Sequence, residues 1–166
     1  MKLIKGIKMK RLYTITEETK IIRKNDSAYY RSHIIETTKE EPSPYSPTQI
    51  INLNCKKYGS TLDGRKEVVS DILKSSSKLP IPVVPQRGIF MIPTASVTSE
   101  KCIWVSYHQI KDYDESDDKT IIFFQDGTST FLNVTPNIFD NQFKRSSQVV
   151  VHFFRHTIFG EGPTRW

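Results

Sequence analysis

Residues 55–66, Cys55-Lys56-Lys57-Tyr58-Gly59-Ser60-Thr61-Leu62-Asp63-Gly64-Arg65-Lys66, carry the densest chemistry in this chain. Two dibasic steps, Lys56-Lys57 and Arg65-Lys66, flank a short segment bounded by Gly59 and Gly64. Lys56 and Lys57 are placed for the last turn of a helix, where cations meet the negative end of the macrodipole. Arg65 and Lys66 follow a glycine, at a turn or the start of the next element. Four long cationic side chains on one compact surface suit a run of phosphates or a narrow groove. Backbone amides freed at Gly59 and Gly64 are a second source of anion donors. The competing reading is a solvated helical hairpin with ordinary surface lysines.

Positioning these groups requires two helices. Ser46-Pro47 supplies an N-cap followed by proline at the first helical position, and Ile51, Cys55 and Tyr58 repeat at helical spacing as a buried stripe. Gly59 ends that helix in the left-handed position. Lys56 lies one turn beyond Asn52, so both can face a ligand. A second helix is predicted from about Gly64 to Lys74, with Val68, Val69, Ile72 and Leu73 inward, and the serine-rich run to Lys78 reads as a linker. Around this pair the chain reads as β. Tyr13–Thr16, Lys20–Arg23 and Ser32–Thr37 are short β-branched runs that predict an N-terminal meander, and Glu40–Pro44 reads as a loop.

Prolines at 80, 82 and 85 keep the next stretch extended but unfit for a central strand, and Gln86-Arg87-Gly88 places Arg87 on a turn. Gly88–Ile92 and Cys102–Tyr107 are the strongest strand candidates, with Cys102 and Trp104 on one face and Ile103 and Val105 on the other. Lys101 lies in the Ser/Thr-rich connection between them. Lys111–Asp118 reads as an acidic, solvated segment, and Asp126-Gly127 as a hairpin turn. Thr135-Pro136 opens a last helix with Ile138, Phe139, Gln142 and Phe143 inward and Lys144 and Arg145 outward. Val149–Phe154 fits helix or strand equally. The expected class is α+β, a single domain of mostly antiparallel sheet with a few helices. Its expected division is a basic arm (1–12), a DNA-binding domain (13–146) and a C-terminal tail (147–166).

The 166 residues hold 24 Lys and Arg against 18 Asp and Glu, a formal charge of +6, which points to a polyanionic partner. That charge is uneven: residues 1–31 carry nine basic against three acidic, and 111–126 two against six. No phosphate-binding glycine loop, nucleophile elbow or zincin motif occurs. Cys55 with His33 or His108 could form a nucleophile pair in principle, but sequence spacing does not argue for it; catalysis is the weakest reading, and no enzyme is expected. His152 and His156 have helical metal spacing without a third ligand, and the Asp112–Asp117 run lacks the glycine and distal glutamate of a calcium loop, so no cofactor or metal is expected. Lysines at 2, 5, 8 and 10 interrupt any apolar leader, and no window reaches membrane length, so the expected location is cytoplasmic.

The 55–66 run, followed by Pro80 and Pro82, Ile89-Phe90-Met91-Ile92-Pro93-Thr94, Lys101-Cys102-Ile103-Trp104-Val105-Ser106, Asp126-Gly127 and Phe139-Asp140-Asn141-Gln142-Phe143-Lys144-Arg145, resembles the ComK family of bacterial competence transcription factors. The resemblance covers roughly residues 10 to 146 and is densest from 55 to 107. It implies an activator that binds paired A/T-rich boxes through the minor groove as a dimer or dimer of dimers. A/T tracts have a narrow, strongly negative minor groove that attracts arginine and lysine. Arg65 is the first choice for that groove, with Lys66, Lys56 and Lys57 on phosphate. Asn52, Ser60, Arg87 and Lys101 are added from charge and turn positions.

The sequence departs from the family after Arg145, where relatives continue through a longer charged tail implicated in activation and in handling by an adaptor and its AAA+ protease. RNA polymerase and that adaptor–protease system are accordingly possible partners. Two alternatives stay open. One is a truncated paralogue that heterodimerises with a full-length relative and binds little DNA. The other is an RNA binder using Tyr29, Tyr30 or Tyr107.

Overall fold

A computed structural model describes residues 11–159, with side chains through residue 155. Most of the expected basic arm therefore lies outside the described residues, as does the imidazole of His156.

Adjacent residues on a strand face opposite ways, and this alternation sets the architecture. Ile21 and Ile22 are consecutive on β1 (Thr19–Lys24), and Trp104 and Val105 on β6 (Ile103–Ser106). All four are buried. Strands buried on both faces need a covering layer on each side. The six-stranded sheet that contains them has the order β3-β2-β1-β6-β5-β4, antiparallel throughout, with β2 (Ser32–Glu36), β3 (Glu40–Ser43), β4 (Ile81–Val84) and β5 (Ile89–Pro93).

One face carries Ile22, Ile34 and Trp104 against α1 (Pro47–Lys57), α2 (Leu62–Leu73) and the later part of α3 (Pro136–Phe159). Ile50, Ile51, Cys55, Val69 and Val149 supply the helical half of that core. The other face carries Ile21, Ile92 and Val105 against a three-stranded sheet of order β7-β8-β9 (Ile110–Ser116, Lys119–Phe124 and Ser129–Leu132). Ile122, Phe124 and Leu132 fill this second core, joined by Phe139 from the start of α3. At 1.5 Å per residue, a 24-residue helix is about 36 Å long, enough to serve both cores. The α+β class and the antiparallel sheet expected from the sequence are what is observed.

Lys20, 5% exposed, crosses from the large sheet to the small one. Its Nζ lies 2.8 Å from Asp126 Oδ2, 2.9 Å from Thr128 Oγ1 and 5.0 Å from the Phe124 ring centroid. The hydrogen bond from Lys20 holds the Asp126 carboxyl down at about 2, and Thr128 adds to it. The Asp126-Gly127 hairpin is as expected, with Gly127 at φ +87°.

Several expectations need correction. Tyr13–Thr16 is not a strand: Asn54 of α1 takes the backbone that a strand partner would have taken. Its Oδ1 accepts from Ile15 N at 3.0 Å, and its Nδ2 donates to the carbonyls of Tyr13 (2.9 Å) and Ile50 (2.8 Å). The third strand of the meander is Glu40–Ser43, read above as a loop; Pro42 is tolerated because β3 is an edge. The acidic Lys111–Asp118 segment is largely β7, an edge strand with Asp112 and Asp114 on its outer face and Glu115 exposed beside them. α2 starts at Leu62, not Gly64, and Val68 on it is 44% exposed. Ile138 is likewise 44% exposed because it lies in the first turn of α3, beyond the second core. Val149–Phe154 is helix, continuous with the residues before Ser146.

Candidate nucleic-acid interface

The α1–α2 turn is built from caps. Ser46 and Gln49 form a reciprocal capping box at the start of α1, with Pro47 at the first helical position. Lys56 and Lys57 occupy its last turn, both exposed. Gly59 takes φ +84°, and Thr61 caps α2 by accepting from Gly64 N at 2.9 Å. Asn52 Oδ1 accepts from Leu62 N at 2.9 Å, so this side chain secures the start of α2 from across the turn. Gly64 lies inside the first turn of α2, and a Cβ there would meet Ser60 Oγ at 2.8 Å and Thr61 Oγ1 at 3.2 Å. Close approach of the Ser60 and Thr61 hydroxyls, rather than a left-handed backbone, is what favours glycine at 64.

This geometry corrects one expectation. The amides of Gly59, Ser60, Leu62 and Gly64 are already used, by Lys56 O, Cys55 O, Asn52 Oδ1 and Thr61 Oγ1. They do not form an anion cradle, and any anion here must be held by side chains.

Arg65 is half-buried and turned back on the turn, its Nη2 3.4 Å from the carbonyl of Tyr58. Its Nε meets no nitrogen or oxygen acceptor. The Cys55 thiol lies against it; burial pushes that thiol up to about 11, with the positive charge of Arg65 working the other way. Cys55 is thus a buried core group. His108 is engaged by Ser106 Oγ (3.0 Å) and the Glu17 carbonyl (2.7 Å), and His33 by Glu40 (2.6 Å).

Arg87 tips the Pro85–Arg87 3-10 turn, which ends at Gly88 with φ +75°. Its guanidinium makes a bidentate pair with Glu17, which raises its pKa, with the nearby Tyr58 side chain adding to it. Lys57 donates to Thr14 Oγ1 at 2.8 Å. Lys56, Lys57, Ser60, Arg65 and Arg87 therefore gather around the C-terminal end of α1, with Glu17 paired to Arg87 and Asp63 exposed in the first turn of α2.

Lys66 and Lys101 belong elsewhere. Lys66 lines a hollow of about 270 Å³ with Ser76, Ser77, Lys78 and Ser96. Lys101 is exposed on the same β5–β6 connection as Ser96. The serine-rich run, read above as a linker, thus lines a cationic, hydroxyl-rich hollow; its Lys-Ser-Ser-Ser-Lys composition was the signal in the sequence. Arg145, expected to face outward, anchors that run instead, reaching Ser75 Oγ at 3.2 Å and Ser77 O at 2.9 Å. Tyr107 is not an open stacking platform, since it stacks on Phe143 at 5.0 Å and its hydroxyl meets Ser147 Oγ at 2.7 Å. Tyr29 and Tyr30 are exposed.

Among the described residues there is no cluster of three or more metal-ligating side chains and no helix long and apolar enough to cross a membrane. A family model described as ComK protein matches residues 10–157. The chain belongs to the ComK family. The ComK match runs through the whole α1–α2 turn, both sheets and most of α3, and so continues past Arg145, where the sequence was expected to leave the family. A curated relative, the competence transcription factor of Bacillus subtilis (strain 168), is 34% identical over 108 residues, covering 64% of this chain and 56% of that protein. The chain thus spans little more than half the length of that relative. No solved structure is a significant match.

Proposed function

We propose that this ComK-family chain is a transcription factor for competence genes that binds A/T-rich duplex DNA through the minor groove. The observation that carries this reading is the gathering of Lys56, Lys57 and Arg87 around one rigidly capped turn. Lys56 and Lys57 contact phosphates and set register with Ser60 beside them, and Lys66 and Lys101, in and beside the separate hollow, add phosphate contacts at the margin. Arg87 is the residue that enters the groove. Its pair with Glu17 is about half exposed, and exposed pairs contribute only about 0–1 kcal/mol, so exchanging Glu17 for DNA costs little. Asn52 and Arg65 act by fixing the turn that presents the lysines.

The protein works in the cytoplasm on the nucleoid, as a dimer or dimer of dimers on paired boxes. RNA polymerase and an adaptor–AAA+ protease system are its further partners. It carries out no catalysis and needs no cofactor.

Fluorescence anisotropy on a duplex with two A/T boxes, beside a G·C-substituted duplex and with distamycin as competitor, tests the reading. Binding should favour the A/T duplex, yield to distamycin and weaken by about 1–3 kcal/mol in Arg87→Ala. Equal affinity for both duplexes would refute it.

A further inference from the structure

The outer face of the three-stranded sheet is sorted by strand into acidic and apolar columns. On β7, Asp112 and Asp114 pair in register with Phe123 and Ile121 of β8, and Ile121 pairs with Phe131 of β9. Side chains at paired positions share a face. Phe123 is 37% exposed and Phe131 58%, while their strand neighbours Ile122, Phe124 and Leu132 are buried on the inner side. The outer face is therefore apolar at Ile121, Phe123 and Phe131 and acidic at Asp112 and Asp114, with Lys119 at its far end opposite Ser116.

The acids continue past it through Glu115, Asp117 and Asp118, and none of these five meets a cation within ion-pair distance among the described residues. In a chain of net charge +6, residues 111–119 hold five acids against two lysines, Lys111 and Lys119, a locally acidic surface. β9 is also a sheet edge, with no proline or charge among Ser129, Thr130, Phe131 and Leu132 to blunt it.

We propose that this face docks a cationic segment of a partner protein, one that alternates basic and apolar residues. Charge complementarity selects the partner. Lysines or arginines meet the β7 acids, and apolar side chains settle on Ile121, Phe123 and Phe131. Nucleic acid is repelled by the same acids, so the face stays open to protein while DNA occupies the α1–α2 turn. The inference stands on the sheet alone and does not require the DNA reading.

The test uses a fluorescein-labelled heptapeptide alternating lysine and leucine around a central tryptophan, beside the same peptide with glutamate in place of lysine. Full-length protein should bind the lysine peptide at least roughly tenfold more tightly. Phe131→Ser and the pair Asp112→Asn/Asp114→Asn should each weaken it by roughly tenfold while leaving the thermal midpoint unchanged. Equal binding of both peptides, or binding indifferent to Phe131→Ser, would overturn the proposal. So would a self-association in sedimentation that Phe131→Ser abolishes, which would give the face to a second copy.

Discussion

The two layers covering the six-stranded sheet hold their charges in opposite ways. On the helical side, cations collect at the end of α1, and the surrounding groups are satisfied: Asn52 and Thr61 cap α2, Arg65 holds the Tyr58 carbonyl and Glu17 holds Arg87. On the opposite side, Asp112 and Asp114 of β7 face outward and make no ion pair among the described residues, next to exposed Phe123 and Phe131. A capped turn fixes where a few cations point, which suits reading one groove. A flat sheet face fixes a pattern of columns, which suits an extended peptide. The net charge of +6 averages over this division and reports only one half of it.

The comparison breaks most severely if its shared platform is removed. Trp104→Ala empties the helical core beneath the turn and should cost about 3–5 kcal/mol, whereas Val105→Ala on the sheet side should cost about 2 kcal/mol, both read from urea midpoints. Asn54→Ala should follow at about 2–4 kcal/mol, because it strands the buried Ile15 amide and Tyr13 carbonyl.

Lys20→Met separates the two sheets electrostatically and should cost about 1–3 kcal/mol near neutrality. Its effect depends on pH with a definite sign. The Asp126 carboxyl is depressed to about 2, so its pairing with Lys20 stabilises the fold fully above the unfolded value of about 4. That contribution is lost as pH falls through about 2. Urea midpoints of wild type and Lys20→Met should therefore converge across that acid window and stay apart above it. Smaller still is Arg65→Ala, expected to lower stability by about 1–2 kcal/mol through the loosened turn, an effect that Lys56→Ala should not share.

Much of the fold was legible because its signals are local. Ser46-Pro47, Gly59, Asp126-Gly127 and the alternation around Trp104 each carry their own geometry. What escaped was decided by contacts distant in sequence. Asn54 captures the backbone of Tyr13–Ile15 across 39 and 41 residues, and nothing in a β-branched run announces that. The β7 strand was hidden by its charge, because an edge strand can expose every second residue. The basic cluster was visible as composition. That Arg65 and Asn52 turn inward to build the turn follows only from the positions of Leu62 and the Tyr58 carbonyl.

The most direct test of the division is the salt dependence of DNA binding in charge variants from each side. For a duplex with two A/T boxes, Lys56→Ala/Lys57→Ala should weaken binding by about 1–2 kcal/mol and reduce the slope of log K against log salt by about 1–2. Asp112→Asn/Asp114→Asn should leave that slope unchanged. A slope altered by the acidic pair and untouched by the lysine pair would contradict the account.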